Sequence, residues 1–157
     1  MKVKIGPYKD NGKERKIEVK IDNYDTWSMD NTLSYIIVPM LKQLKKTTHG
    51  SPLIDNEDVP KHLQHTTTEY WDNQRTFEFY EEDKKAEKQF WKLHHKKWVW
   101  AMNEMIWAFT QIRNGDDDDK FFNKNNELID KEGLSEYHKR IDNGTRLFGK
   151  YYRGLWD

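Results

Sequence analysis

Near the end of the chain, Arg140, Asn143, Arg146, Lys150 and Arg153 recur at intervals of three or four residues. On a helix that spacing places them on one polar arc. Phe148, Tyr151 and Tyr152 lie beside them. Guanidinium and ammonium groups hold phosphate by charge and hydrogen bonding, and rings stack on bases. One reading is therefore a site for an anionic, nucleotide-type ligand. Its residues would be Trp27, Arg140, Asn143, Arg146, Lys150 and Tyr151. Arg146 and Lys150 would supply charge from one side of the helix. Asn143 would supply hydrogen bonds, and Tyr151 or Trp27 a stacking plane. The plain alternatives are a solvated helix face or an Arg146 ion pair that braces the helices.

Other groups carry less specific chemistry. His94-His95 with Glu104, and the pair His62 and His65, contain metal-ligand types. Adjacent histidines diverge by about 100° on a helix, however, and no familiar two-His motif is present. His49, Asp55, Glu57 and Asp58 could serve acid–base work. A loop in which Asp58 caps a helix and Pro60 opens it explains the same residues more simply. The run Asp116 to Asp119 lacks the spaced ligands of a calcium loop. There is no phosphate-cradling glycine loop and no nucleophile elbow. No catalytic residue, metal or cofactor is assigned.

Lys plus Arg number 27 and Asp plus Glu number 27, so the net charge is zero. A general nucleic-acid coat would need excess positive charge, so any basic footprint must be local. Cysteine is absent, which removes disulfides and thiolate metal sites. No stretch reaches the ~18 apolar residues of a membrane span. The first residues, Met1 to Pro7, lack a signal-peptide core, which points to the compartment of synthesis. Seven Trp, eight Tyr and seven Phe supply much of the apolar mass. They imply a small aromatic-rich core under a charged surface.

The elements that position these groups follow from periodicity. Val3 and Ile5, then Ile17, Val19 and Ile21, alternate with charged residues around Asp10-Asn11-Gly12. This predicts a hairpin over 2–21, with the aliphatic set facing helices. Leu33, Ile36, Ile37, Met40, Leu41 and Leu44 form one stripe of a helix over 29–46. Ser28 is its expected cap, Pro39 its expected kink and Gly50 its stop. A second helix over 87–113 is apolar over a wide arc and reads as central. Trp98, Met102, Met105 and Phe109 should pack on Leu33, Ile37 and Leu44. A third helix spans 134–156, with Gly144 and Gly149 inside it. Residues 51–86 stay unassigned. The fold expected is mainly α within α+β: one domain, a hairpin packed on about three long helices.

Several blocks resemble a family of small proteins of tailed, mainly contractile-tailed, bacteriophages. They are the segment from Ile21 to Leu33, Pro39 to Lys45 with His49 to Pro52, and Glu57 to Pro60. Glu104 to Phe109, Asn143-Gly144, Arg146 to Tyr151 and Leu155 to Asp157 complete them. Together they cover about half the chain. Similar proteins carry a longer insert before the second strand, where this chain has Lys9 to Glu14. The resemblance implies a phage origin and action in the host cytoplasm, and supplies no reaction. The expected function is a non-enzymatic accessory protein. It would sequester a nucleotide-type anion or block a host defence protein, with a homo-oligomer as a further option. A virion component is the alternative, and a metal-dependent hydrolase a distant third.

Overall fold

The computed structural model describes residues 1–7, 14–64, 81–115 and 118–156. Strands β1 (Lys2–Ile5) and β2 (Ile17–Lys20) pair antiparallel. Three helices follow: α1 (Met29–Thr47), α2 (Glu81–Asn114) and α3 (Lys131–Lys150). The architecture is the mainly helical α+β form that the residue periodicities predict.

In the hairpin, Val3 pairs with Val19 and Ile5 with Ile17. The four aliphatic side chains therefore share one face, as the alternation requires. That face does not turn toward the helices. Ile17, Val19 and Ile21 are 63%, 56% and 51% exposed. Alternation shows which side chains share a face; it is silent on what covers that face. The Asp10-Asn11-Gly12 turn lies outside the described residues. A 3-10 turn, Asn23–Thr26, then leads into α1 and sets Tyr24 edge-on to Trp27 at 5.2 Å.

Helix α1 buries Ser34, Val38 and Leu41. Pro39 is exposed, and the helix runs unbroken through it. Its missing N–H and its ring fall on the water side, away from the packed stripe. The Ser28 hydroxyl makes no capping bond. The helix closes at Thr47, where the Thr48 N–H donates to the Leu44 carbonyl, ahead of Gly50.

Helix α2 is the centre: α1 and α3 both pack on it. Trp98, Ala101, Met102, Met105 and Ala108 are fully buried, and Phe109 nearly so. Ile37 and Leu44 border this cluster, whereas Leu33 is exposed. The end of α2 is capped from outside. The Asn31 side-chain amide of α1 donates to the Ile112 and Arg113 carbonyls, each at 2.9 Å. A helix end leaves its last carbonyls short of partners, and Ile112 also accepts from the Gly115 N–H at 3.2 Å. Gly115 then turns the chain with φ +72, a left-handed angle that glycine adopts without strain.

Helix α3 opens at Asp130, whose carboxylate accepts from the Gly133 N–H at 2.8 Å. It ends at Lys150, short of the expected Trp156, and Tyr152–Gly154 form a separate 3-10 turn. Its two late glycines differ in kind. A Cβ on Gly144 would meet the Ala108 side chain and stand 2.7 Å from the Glu104 carbonyl oxygen of α2. A Cβ on Gly149 would meet nothing within 4 Å. Gly144 is thus where two helices touch backbone to backbone, and Gly149 is free of that constraint. Gly149→Ala should raise stability by about 0.5–1 kcal/mol through helix propensity. Gly144→Ala, despite the same local gain, should lower it by about 1–3 kcal/mol by forcing α2 and α3 apart. Urea denaturation of both variants checks the pair of opposite signs.

Candidate functional site

The residues predicted to form an anion site fall into three places. Trp27 is 82% exposed in the connector after the hairpin, beside Tyr24. Arg140 lies midway along α3. Its guanidinium donates to both carboxylate oxygens of Glu104 at 2.8 and 2.9 Å, and stacks over Trp107 at 4.0 Å. The hydrogen bonds from Arg140 to Glu104 raise its pKa, against the opposing effect of burial. Arg146, Lys150 and Tyr151 gather at the end of α3, where they meet the loop 54–58, with Asn143 one turn back against Arg146.

That loop folds against the middle of α2 and the end of α3. Asn56–Asp58 form a 3-10 turn, and Ile54 and Val59 on either side enter the core. Asp58 goes inward with them, its side chain only 1% exposed. An ionised carboxylate buried to that degree is costly unless it is paired. It is paired three times. The Tyr151 hydroxyl donates to it at 2.5 Å, Lys150 stands at 2.6 Å and Arg146 at 2.7 Å. Tyr151 is also an acceptor: its oxygen receives the Asp55 N–H at 3.0 Å. Asp58 is therefore not a helix cap. Pro60 holds the position before the next turn, Lys61–Leu63, and Asp58 anchors the loop to α3.

Lys150 and one further cation complete the arrangement. Lys150 also reaches Asp55 at 2.7 Å and Glu57 at 3.2 Å. On the α2 side, the Lys97 ammonium is buried and donates to the Asn56 side-chain oxygen at 2.7 Å and the Ile54 carbonyl at 3.3 Å. Burial pushes the Lys97 pKa down, and the negative charge of Asp55 opposes that shift. Arg146 additionally donates to the Asn143 side-chain oxygen at 2.8 Å. The anion that Arg146 and Lys150 hold is thus the protein's own carboxylate. This is the bracing role weighed for Arg146 beside the ligand role.

The metal readings meet a similar geometry. Among the described residues, Asp55, Glu57 and Asp58 bring carboxylate oxygens within 4.8 Å of one another. The Lys150 ammonium sits against all three, at the place a cation would take. Glu104 is engaged by Arg140, and His94 is buried against Phe90 at 4.3 Å. His65 and the start of the Asp116 run lie outside the described residues. Sequence reasoning missed Asp58 as the partner of the last helix and Lys97 as the α2 partner of the loop. The available signal was three carboxylates within four residues, Asp55 to Asp58, matching the charge of the C-terminal arc.

Comparison with protein-family models, with curated proteins and with solved structures finds no match to this chain.

The cluster has a defined pH window. Burial raises the Asp58 pKa, but the hydrogen bonds from Lys150, Tyr151 and Arg146 outweigh it and hold the carboxyl below its ordinary 3.8. A depressed carboxyl stabilises the fold above its unfolded pKa, and that share is lost as pH falls through the folded value. Tyr151 is pushed from its ordinary 10.0 up to about 12, by burial and then by its bond to Asp58. Lys150 is raised as well, first by Asp55 and then by Asp58. A raised pKa works in the other sense: its share is complete below the unfolded value and is lost as pH rises through the folded one. Stability should therefore fall at both acid and alkaline ends. Asp58→Asn should lower stability at neutral pH by about 1.5–3 kcal/mol and flatten the acid limb. Tyr151→Phe should flatten the alkaline limb. Urea midpoints across pH check both.

Proposed function

We propose that this is a non-enzymatic binding protein whose partner is another protein, engaged through the hairpin, the connector and the outer flank of α1. The observation that carries this reading is the uncovered aliphatic face of the hairpin. Val3, Ile5, Ile17 and Val19 lie on it together, and all are exposed. A two-stranded ribbon alone is marginal in water, and an apolar face of this kind gains from cover. Tyr24, Trp27, Met29, Tyr35 and Met40 follow in sequence and are exposed too. Aromatic residues and Met are the types enriched at protein interfaces. The other face of the ribbon bears Lys2, Lys4 and Lys20 against Glu18. The partner that fits is a protein with an apolar patch ringed by carboxylates. The resemblance to phage proteins favours a host protein, with a defence protein as the natural target. The paired state of Arg140, Arg146 and Lys150 favours this over a nucleotide site on α3. Among the described residues, no helix is long and apolar enough to cross a membrane.

Photo-cross-linking in bacterial cells tests the reading, with the reactive residue placed at position 19 or 27 and, as control, at 136 on α3. The expected result is one heterologous protein joined at 19 and 27 but not at 136. Purified, that protein should bind the wild-type chain, and Val19→Asp and Trp27→Ala should each weaken binding by about tenfold or more. Both positions are exposed, so melting temperature should barely move. Adducts with copies of the chain itself would favour a virion or assembly component. Absence of any adduct at 19 and 27 would end the proposal.

A further inference from the structure

Between Asn31 and Ile54 the chain has Lys42, Lys45 and Lys46 and no Asp or Glu. Between Lys88 and Asn103 it has Lys88, Lys92, Lys96 and Lys97, and again no acid. The fold lays these two stretches side by side. Asn31 meets Ile112 and Arg113, and Lys45 meets Asn103, so α1 and α2 run antiparallel. Lys42, Lys45 and Lys46 of α1 face Asn103 and Ile106 of α2 across an open cleft of about 280 Å3. Among the described residues, no carboxylate lines it. Lys96 lies two turns before Asn103, on the same face of α2, and extends the basic strip. Lys97 points elsewhere, into the loop 54–58.

These lysines differ from the basic residues of α3. Arg140, Arg146 and Lys150 are each matched to carboxylates. Lys42, Lys45, Lys46 and Lys96 form no ion pair among the described residues; Lys45 donates to the neutral Asn103 oxygen at 2.6 Å. In a chain of zero net charge, these lysines without an ion pair are gathered in a concave place. Clefts lined by one sign of charge focus the field and concentrate counter-ions.

We propose that the α1–α2 cleft binds a small polyphosphate, the phosphate chain of a nucleotide-type ligand or a free inorganic one. Lys42, Lys45 and Lys46 stand at helix spacings of three and four, so their ammonium groups converge on one ligand. Ammonium is a compact point charge without the planar fork of guanidinium. Several such charges together match the multiple charge of a phosphate chain. Asn103 accepts from Lys45 through its oxygen, which leaves its amide hydrogens as donors. Ile106 gives an apolar wall. The cleft matches a small ligand in size rather than an extended polymer. The competing role for Lys45 and Lys46 is to complement the C-terminal dipole of α1, a role that needs no ligand.

The test uses tripolyphosphate and adenosine triphosphate as probes, with a short thymidine oligonucleotide as the polymer control. Calorimetry gives affinities, and backbone amide NMR locates the site. Both probes should bind at low salt and weaken as salt rises. Shifts should centre on residues 42–48 and 96–106. The double variant Lys42→Gln with Lys46→Gln should weaken binding by about tenfold or more, with melting temperature nearly unchanged. Arg146→Ala should leave binding intact, since its charge is used on Asp58. Binding of the triphosphate but not tripolyphosphate would overturn the assignment to phosphate alone. Binding of the oligonucleotide without either probe would replace the cleft by a nucleic-acid surface. No binding at about 1 mM probe, or a double variant that loses stability and no affinity, would leave only the dipole role.

Discussion

Burial of the Asp58 carboxylate is the constraint around which the helical part of this protein is arranged. A charge at that depth demands partners on every side, and α3 supplies them from its last turn: Arg146, Lys150 and Tyr151. Their arrival fixes where α3 must end and which face it must show. It also brings Ile54 and Val59 into the core, because the same short loop carries all three residues. Lys97 then fastens the loop to α2 from the other side. A loop of a few residues, poor in regular structure, thereby joins two long helices. Such a cluster gives specificity of arrangement more readily than net stability, since each charge loses hydration on entering.

The long central helix makes this possible. α2 offers Trp98, Met102 and Met105 to the interior over a wide arc, so it can be flanked by more than one partner. α3 comes close enough for Gly144 to touch backbone, and α1 seals the far end of α2 with Asn31. Two places on α2 are secured by different chemistry. Neutral amide-to-carbonyl bonds hold its C-terminal end, and a set of opposed charges meets its middle at Lys97.

Much of this was legible in the residues. The helical stripes gave three helices close to their observed places, and strand alternation gave the hairpin and its shared aliphatic face. Three features were not legible, each for a physical reason. Whether the face of Val19 is covered depends on tertiary placement, which a period of two does not encode. The sign of the charge around Arg146 depends on Asp58, 88 residues earlier in the chain. Local spacing made Arg146 and Lys150 look available, and a distant loop occupies them. The α1 lysines read simply as a good helix terminus, because their meeting with Asn103 arises only when α1 and α2 are laid antiparallel.

The separation of charge along the α1–α2 seam also bears on how the molecule behaves in bulk solution. With a sequence pI of about 7.0, no overall repulsion keeps copies apart at neutral pH. A patch rich in lysine on one copy then meets acidic surface on another. Attraction of that kind is electrostatic and short of range, and added salt screens it. The protein is therefore expected to salt in: least soluble near neutrality in dilute buffer, and more soluble as ionic strength approaches that of a cell.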